Sequence, residues 1–159
     1  MPDITRDIYP MPAFVTFPVA DVDRTVDFYV GALDWIELFR MPGPDGAAAL
    51  VHLRRSRYQD ILVRPGPADP GHGWAVSITA TAEELPGLVE RARVHGGGHV
   101  TDPTDTPWNT RDVNVTDPDG YRLVYTARRP EGERDEAFGA RILELAREQG
   151  LPPTGSGQH

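Results

Sequence analysis

Three side chains are of types that could exchange protons with a bound molecule: His52, Asp60 and Arg122. His52 and Asp60 fall in two predicted strands, 47–53 and 60–64, and Arg122 falls in a later strand. An imidazole or a carboxylate can act as a general base or acid, and a guanidinium can hold an oxygen atom in place. Nothing in their spacing singles out an acid–base pair, so these residues are candidates for catalysis without assigned roles.

The other chemistry-bearing residues form no familiar catalytic or metal-binding pattern. The chain has no cysteine. Its histidines show neither His-x-Glu nor His-Glu-x-x-His spacing; they are His52, His72, His95, His99 and His159. A Gly-x-Ser-x-Gly nucleophile, a phosphate-binding loop and a dinucleotide fingerprint are also missing from the sequence. The sequence therefore predicts neither a metal ion nor a cofactor.

The composition is that of a folded domain of ordinary size. The 159 residues are 39% hydrophobic and 25% charged, which is enough to bury a core. The sequence has no long apolar run and no basic-then-apolar start, so we expect a cytoplasmic protein without a membrane segment. The formal charge of −8 argues against nucleic acid as a partner, because phosphate binding needs a basic surface. It leaves a cationic small molecule open, although a solvated acidic surface is the commoner explanation.

The chain repeats one order of elements. Each half contains a strand, a helix and then three strands. Asp21 is placed to cap the first helix, and Thr81 opens a capping box before the second. Phe14 lies seven residues before Asp21, as Trp74 lies seven residues before Thr81. This correspondence predicts two similar βαβββ modules. The predicted segments are an N-terminal arm (1–12), a first module (13–65), a linker (66–73) and a second module (74–127).

The closing hairpin is the most informative stretch. Val113 and Val115 alternate with polar residues, as in a strand with unlike faces. Asp-Pro-Asp-Gly at 117–120 then forms a tight turn. A Pro-Trp-Asn-x-Arg entry, this turn and an aromatic return strand resemble the last hairpin of the vicinal oxygen chelate superfamily. The segment 21–35, Asp-Val-Asp-Arg-Thr-Val-Asp-Phe-Tyr-Val-Gly-Ala-Leu-Asp-Trp, is also similar to the usual first helix of that group.

This superfamily contains glyoxalases, extradiol dioxygenases and bleomycin resistance proteins, and the resemblance covers residues 13–127. It implies an α+β fold in which tandem βαβββ modules form a cupped mixed sheet. Enzymes of the group hold a divalent metal ion through His, Glu or Gln side chains of this sheet. Aligning the two modules by their helix caps assigns these four positions to residues that cannot bind a metal: Phe14, Leu62, Trp74 and Val124.

The resemblance thus implies a cup that holds its ligand by shape and stacking. Strand alternation predicts that Thr16 and Val76 share the face of the four aligned residues, and Trp108 is expected at the mouth. The predicted ligand-binding residues are Phe14, Thr16, Leu62, Trp74, Val76, Trp108 and Val124. The alternative is that the four aligned side chains fill a closed core and bind nothing.

Residues 128–150 are expected to form a helical extension outside the modules. The apolar side of its helix, 135–149, is predicted to pack on the same domain or on a dimer partner, and covering a ligand cleft is the alternative. Residues 151–159 are rich in proline, glycine and serine and predict a flexible tail.

The leading functional hypothesis is a metal-free small-molecule binding protein, similar to the bleomycin resistance proteins, that sequesters or carries an aromatic or cationic natural product. The resemblance implies a homodimer and a role in antibiotic resistance. An alternative is a metal-independent cyclase or isomerase of specialised metabolism, in which His52, Asp60 or Arg122 serves as an acid–base group. A metal-dependent glyoxalase or dioxygenase is the least favoured alternative. The sequence leaves open whether the modules pair within one chain or across a dimer.

Overall fold

The computed structural model describes residues 4–151 and confirms the predicted α+β class. Within these residues, two mixed β-sheets and three α-helices form two successive βαβββ modules and a C-terminal helix. The strands are β1 (Val15–Val19), β2 (Ile36–Pro42), β3 (Ala48–Ser56), β4 (Gln59–Pro65), β5 (Val76–Ala80), β6 (His99–Val100), β7 (Thr104–Asp105), β8 (Thr110–Thr116) and β9 (Arg122–Arg128). The helices are α1 (Val22–Leu33), α2 (Glu84–His95) and α3 (Glu136–Glu148).

The first module contains a sheet of strand order β1-β4-β3-β2. β1 runs parallel to β4, with Thr16 beside Leu62, and the other neighbouring strands are antiparallel. α1 connects β1 to β2 and begins at Asp21, whose carboxylate accepts a hydrogen bond from the Arg24 amide at 3.0 Å. The predicted helix cap is therefore present.

The second module repeats this topology with the strand order β5-β9-β8-β6, and the short strand β7 also pairs with β8. β5 runs parallel to β9. The predicted turn joins β8 to β9, where the Gly120 amide donates to the Asp117 carbonyl at 3.0 Å and Gly120 has a φ of 94°. The Asp117 carboxylate fixes this turn by accepting from the amides of Asp119 and Tyr121, both at 2.9 Å.

One hydrophobic core joins the two modules. In each sheet, the inner face is the one buried in this core, and the outer face is the opposite one. Phe17 of β1 stacks on Tyr121 just before β9, with ring centroids 4.1 Å apart. The Trp35 indole donates to the hydroxyl of Tyr125 on β9 at 2.8 Å. Because these contacts cross between modules and exclude water, burial of apolar surface holds the two modules together within one chain.

The C-terminal helix α3 forms as predicted but lies outside this core. The Asp135 carboxylate caps it by accepting from the Phe138 amide at 3.2 Å. None of its residues is buried by the described part of the chain, and Ile142, Leu143 and Leu145 are 45%, 40% and 36% exposed. The apolar side was expected to pack on the helix's own domain or on a dimer partner; residues 4–151 of its own chain leave this side largely exposed.

Parts of the predicted terminal segments, 1–3 and 152–159, lie outside the described residues. The division into two modules follows the element order, whereas the domain boundaries proposed from the sequence stay predictions. Among the described residues, no helix combines the length and the apolar character that crossing a membrane requires.

Candidate ligand site on the first module

The outer face of the first sheet carries a buried charged cluster. Strand alternation places His52 and Arg54 of β3 and Asp60 of β4 on this face. On the inner face of the same two strands, four apolar residues are fully buried: Val51, Leu53, Ile61 and Val63. Arg54 and Asp60 are nevertheless only 0% and 5% exposed, because residues 5–9 of the N-terminal segment contact them from the outer side.

Asp60 is the centre of this cluster. Its Oδ1 accepts from Arg54 Nε at 2.7 Å and lies 2.8 Å from His52 Nε2, and its Oδ2 accepts from the Tyr9 hydroxyl at 2.8 Å. Burial alone would raise the pKa of Asp60, but the hydrogen bonds from Arg54, His52 and Tyr9 outweigh it and hold the pKa below its usual value. The carboxylate is therefore ionised at neutral pH and orients the three donors around it.

The N-terminal segment is tied to the same cluster through its backbone. Arg54 Nη1 donates to the carbonyls of Thr5 and Asp7, at 2.9 and 2.8 Å. The guanidinium carbon of Arg54 lies 4.1 Å from the ring centroid of Tyr9, a favourable cation–π distance. The Tyr58 amide donates to the Tyr9 hydroxyl at 2.8 Å. These bonds order a segment that the sequence predicted only as an arm.

A cavity of about 330 Å³ lies between this segment and the first sheet. Its lining combines apolar side chains with three nitrogen-bearing ones: Arg6, Ile8, Tyr9, Leu38, Phe39, His52 and Arg54. Phe39 sits opposite His52 in the pairing of β2 with β3 and is 54% exposed. An exposed aromatic ring beside a cavity offers a stacking surface for a flat molecule.

The structure brings His52 and Asp60 together, but Arg122 lies elsewhere. Arg122 begins β9 of the second sheet, opposite Thr116, and is exposed. No hydrogen bond or ion pair within the described residues joins it to the other two candidates. The His52–Asp60 pair alone could therefore act as an oriented base, and a catalytic role for any of the three stays a prediction.

Some of the predicted ligand-binding residues also lie on the outer faces. Thr16 and Leu62 are neighbours in the first sheet, and Phe14, just before β1, is 51% exposed. Val124 lies beside Ser77 in the second sheet. None of these residues lines the cavity. Their ligand-binding roles stay predictions.

The expectation that Val76 shares the outer face with Val124 is wrong, and Trp74, which is 41% exposed, lies before the strand and beside core rings. Val76 lies opposite the fully buried Leu123, packs against the core and therefore points to the inner face. Trp74 precedes β5, and its ring centroid lies 6.4 Å from that of Phe17, a core residue. The physical reason is register: β5 places Ser77, and not Val76, on the side of Val124, and a shift of one residue reverses the face of a strand.

Trp108 heads the final hairpin, as predicted, in the turn that precedes β8. It is 57% exposed, and the next residue, Asn109, has a positive φ of 66°. Trp108 does not line the cavity on the first module, so its expected place at the mouth of a ligand site stays a prediction.

The residues at the four aligned positions do not fit a divalent metal ion. Phe14, Leu62, Trp74 and Val124 carry no ligand atoms. Between residues 4 and 151, no group of three or more His, Cys, Asp or Glu side chains is arranged to hold an ion. His52 and Asp60 are adjacent on the outer face of the first sheet, but Asp60 also binds the Arg54 guanidinium, whose positive charge opposes a bound cation.

Sequence reasoning missed the residues that complete this site. Arg54 is two positions from His52, but the predicted strand ends at residue 53 whereas β3 continues to Ser56. A strand extended by three residues would have placed both side chains on one face by period-2 alternation. Phe39 and Leu38 fall in a predicted strand without a signal for their direction, because β2 has a register shift between Glu37 and Phe39. Tyr9 belongs to a segment without periodicity.

Comparison with known proteins gives consistent matches. A family model described as the Glyoxalase/Bleomycin resistance protein/Dioxygenase superfamily matches residues 12–125. An uncharacterized protein of Mycobacterium bovis is 33% identical over 112 residues, which are 65% of this chain and 74% of that protein. A glyoxalase-related enzyme from Clostridium phytofermentans matches with a TM-score of 0.61 at 17% identity, covering 78% of this chain and 99% of the other. An antibiotic binding protein from a Streptomyces species matches with a TM-score of 0.57 at 22% identity, covering 72% and 93%. At these identities the two solved structures show a shared fold alone.

Proposed function

Since this chain belongs to the glyoxalase/bleomycin resistance protein/dioxygenase superfamily, we propose that it binds an aromatic natural product without the help of a metal ion. The observation that carries this proposal is the cavity of about 330 Å³ beside Phe39. Its size suits the ring system of a small molecule. Beside this cavity, the Asp60 carboxylate is hydrogen-bonded to Arg54 and His52. These protein donors occupy the carboxylate that a metal ion would need.

The walls of the cavity support an aromatic ligand. Ile8 and Leu38 supply aliphatic surface, and Phe39 supplies a ring with one exposed side. Stacking on such a ring adds to the free energy of burying apolar surface. One structural relative is an antibiotic binding protein. This likeness supports the proposal that the present chain sequesters or carries a natural product, for example in resistance to an antibiotic.

The charge of the cavity favours one of the two ligand types considered from the sequence. The net charge of −8 left a cationic ligand open. Arg6 and Arg54 both line the cavity, and no carboxylate of residues 4–151 does. Asp60 neutralises Arg54 from outside the lining, so Arg6 supplies the positive charge that disfavours a bound cation. The proposed ligand is therefore aromatic and is not cationic at this site.

Binding can be tested by isothermal titration of the purified protein with a panel of polycyclic aromatic antibiotics. We expect saturable binding to the native protein and about a tenfold loss of affinity in Phe39→Ala, because the variant removes the stacking ring. Met41→Ala is the matched control: Met41 is on the same strand, is 43% exposed and does not line the cavity. Absence of saturable binding, or equal losses in both variants, would contradict the proposed site.

A metal-independent enzyme is the second candidate, and the His52–Asp60 distance of 2.8 Å favours it. A carboxylate that holds one imidazole nitrogen leaves the other nitrogen to exchange a proton with a bound molecule. Each compound that binds would be incubated with native protein and with His52→Gln and then analysed by mass spectrometry and chiral chromatography. Conversion by native protein that is lost in the variant would establish catalysis, whereas unchanged compounds support binding alone.

A further inference from the structure

Arg54 offers a hydrogen-bond donor that nothing in the described chain uses. Its Nε donates to Asp60 and its Nη1 to two backbone carbonyls of the N-terminal segment. Nη2 has no partner among the described residues and is shielded from solvent. A buried guanidinium N–H without an acceptor is energetically unfavourable. A ligand oxygen that bonds to it therefore gains more free energy than an oxygen that bonds to an N–H already hydrated by water.

The carboxylate that Arg54 contacts, Asp60, does not accept a hydrogen bond from Nη2. Asp60 Oδ1 accepts from Arg54 Nε, and Oδ2 accepts from the hydroxyl of Tyr9. In a bidentate pair between arginine and a carboxylate, a second guanidinium N–H would bond to the second oxygen. Tyr9 occupies that oxygen here, and Nη2 is left over on a side chain that lines the cavity.

The surroundings of Arg54 define the chemistry of a molecule that would use this donor. Arg6 adds a second positive charge to the lining, to which the described part of the chain contributes no carboxylate. Leu38 and Phe39 on β2 form the adjacent apolar wall. A ligand that matches both features has a flat apolar body and an oxygen that carries negative charge.

We propose that the ligand of this cavity is an aromatic molecule with a carboxylate or phenolate group, and that its anionic oxygen binds Arg54 Nη2. The inference rests on the proposed function and adds the ligand class and a specificity-determining residue. Nη2 is shielded from solvent, and Thr5, Asp7 and Tyr9 of the N-terminal segment contact the same guanidinium, so the oxygen reaches the nitrogen when this segment shifts outward.

Three probes that share one ring system separate charge from shape: naphthoate, naphthamide and naphthylmethylammonium. Their affinities for the native protein would be measured by isothermal titration at equal ionic strength. We expect naphthoate to bind about tenfold or more tightly than naphthamide, because a charge-assisted hydrogen bond is about twice as strong as a neutral one. The ammonium probe should bind most weakly.

Two variants test whether Arg54 is the residue that reads this charge. Arg54→Lys keeps the positive charge but removes the planar donors, and we expect it to lose most of the preference for naphthoate over naphthamide. Arg64→Lys is the matched control, since Arg64 is an exposed residue on the neighbouring strand β4 and does not line the cavity. Its preference should equal that of the native protein.

Each other outcome overturns a defined part of the proposal. Equal affinities for all three probes, or tightest binding of the ammonium probe, would overturn the ligand class and leave the proposed binding function standing. Failure of every probe and every antibiotic to bind would overturn both. A preference that survives in Arg54→Lys would overturn the role of Arg54. If Arg54→Lys does not fold, the guanidinium NMR signals of native Arg54 decide: a shift on adding naphthoate supports the contact, and unchanged signals overturn it.

Discussion

Tyr9 and Asp60 are joined by a hydrogen bond of 2.8 Å between the phenol and carboxylate Oδ2, across 51 residues of sequence. Burial raises the pKa of Tyr9, so the phenol stays protonated and remains a donor. The same hydroxyl accepts from the Tyr58 amide. This one oxygen therefore fastens the N-terminal segment to β4 and to the turn before it, and thereby forms one wall of the cavity.

Replacing Tyr9 by phenylalanine should show what this oxygen contributes. We expect Tyr9→Phe to lower the free energy of unfolding by about 1–3 kcal/mol, because it leaves a buried carboxylate oxygen and the Tyr58 amide without their partner. Urea denaturation followed by circular dichroism would measure the change. In Tyr58→Phe, whose ring is half exposed, the change should stay within about 0.5 kcal/mol. Equal changes in the two variants would contradict the importance of the bond.

Asp117 should make the stability of the protein depend on pH. Burial, the largest effect, raises the pKa of Asp117 from its ordinary 3.8 to about 6, and the nearby Asp119 carboxylate adds to this rise. Between these pH values the folded state holds a proton that the unfolded chain has lost, so the stabilisation is full below about 3.8 and is lost as the pH rises through about 6.

The effect can be isolated by comparing native protein with Asp117→Asn, which keeps an amide oxygen as the acceptor for the Asp119 and Tyr121 amides. As the pH rises from about 4 to 7, deprotonation of Asp117 should lower the free energy of unfolding of the native protein by up to about 3 kcal/mol. The variant should not show this loss. Chemical denaturation at several pH values would measure the difference between the two slopes. A difference of zero, or one of opposite sign, would contradict the raised pKa.

Gly98 should be intolerant of any side chain. A Cβ atom at this position would lie 2.5 Å from Phe28 Cζ and 2.6 Å from the Thr116 carbonyl oxygen. Both distances are too short for a real contact, so Phe28 and the backbone at Thr116 would have to move. We expect Gly98→Ala to reduce the free energy of unfolding by about 1–3 kcal/mol or more, as overpacking does.

The matched control for this change is Gly139→Ala. Gly139 lies within α3, where a Cβ atom meets nothing within 4 Å, and alanine favours a helix over glycine by about 0.5–1 kcal/mol. Thermal unfolding should therefore show a large fall in the midpoint temperature for Gly98→Ala and a rise or little change for Gly139→Ala. Similar losses in both would show that close approach to Phe28 is not what excludes a side chain at position 98.

The parts of this fold that were predictable from the sequence are those set by local signals. Asp21 caps α1, and the Asp117–Gly120 turn closes the last hairpin, because a few adjacent residues fix each conformation. The face of Val76 was predicted wrongly, since its direction depends on the pairing of β5 with β9, where its partner Leu123 lies 47 residues later in the chain. A propensity pattern carries no information about such a pairing.

The candidate site divides in the same way. His52 and Asp60 were recognised as candidates because polar residues stand out in apolar strands, and the structure places them 2.8 Å apart. Arg54 was accessible to the same reasoning only with the predicted strand extended past residue 53. Tyr9 was not, because its position follows from a long-range hydrogen bond of a segment that has no periodic pattern. The wall that turns an open sheet face into a cavity was therefore beyond sequence analysis.

The exposed helix α3 leads to the last prediction. Isolated helices of its length are marginally stable in water, and no residue of α3 is buried by the described part of the chain. We expect its amides to exchange with solvent many times faster than those of α1, most of whose apolar side chains are buried. Hydrogen exchange with mass spectrometry at a low protein concentration would measure this difference.

Protein concentration separates the two ways in which α3 could be protected. If a second copy covers Ile142 and Leu143, exchange in α3 should slow as the concentration rises, while exchange in α1 stays constant, because association is governed by mass action. Asp135→Ala is the companion variant: it removes the cap at Phe138 and should speed exchange in α3 alone. Slow exchange in α3 at every concentration would contradict its lack of cover, and would show that some part of the same chain protects the helix.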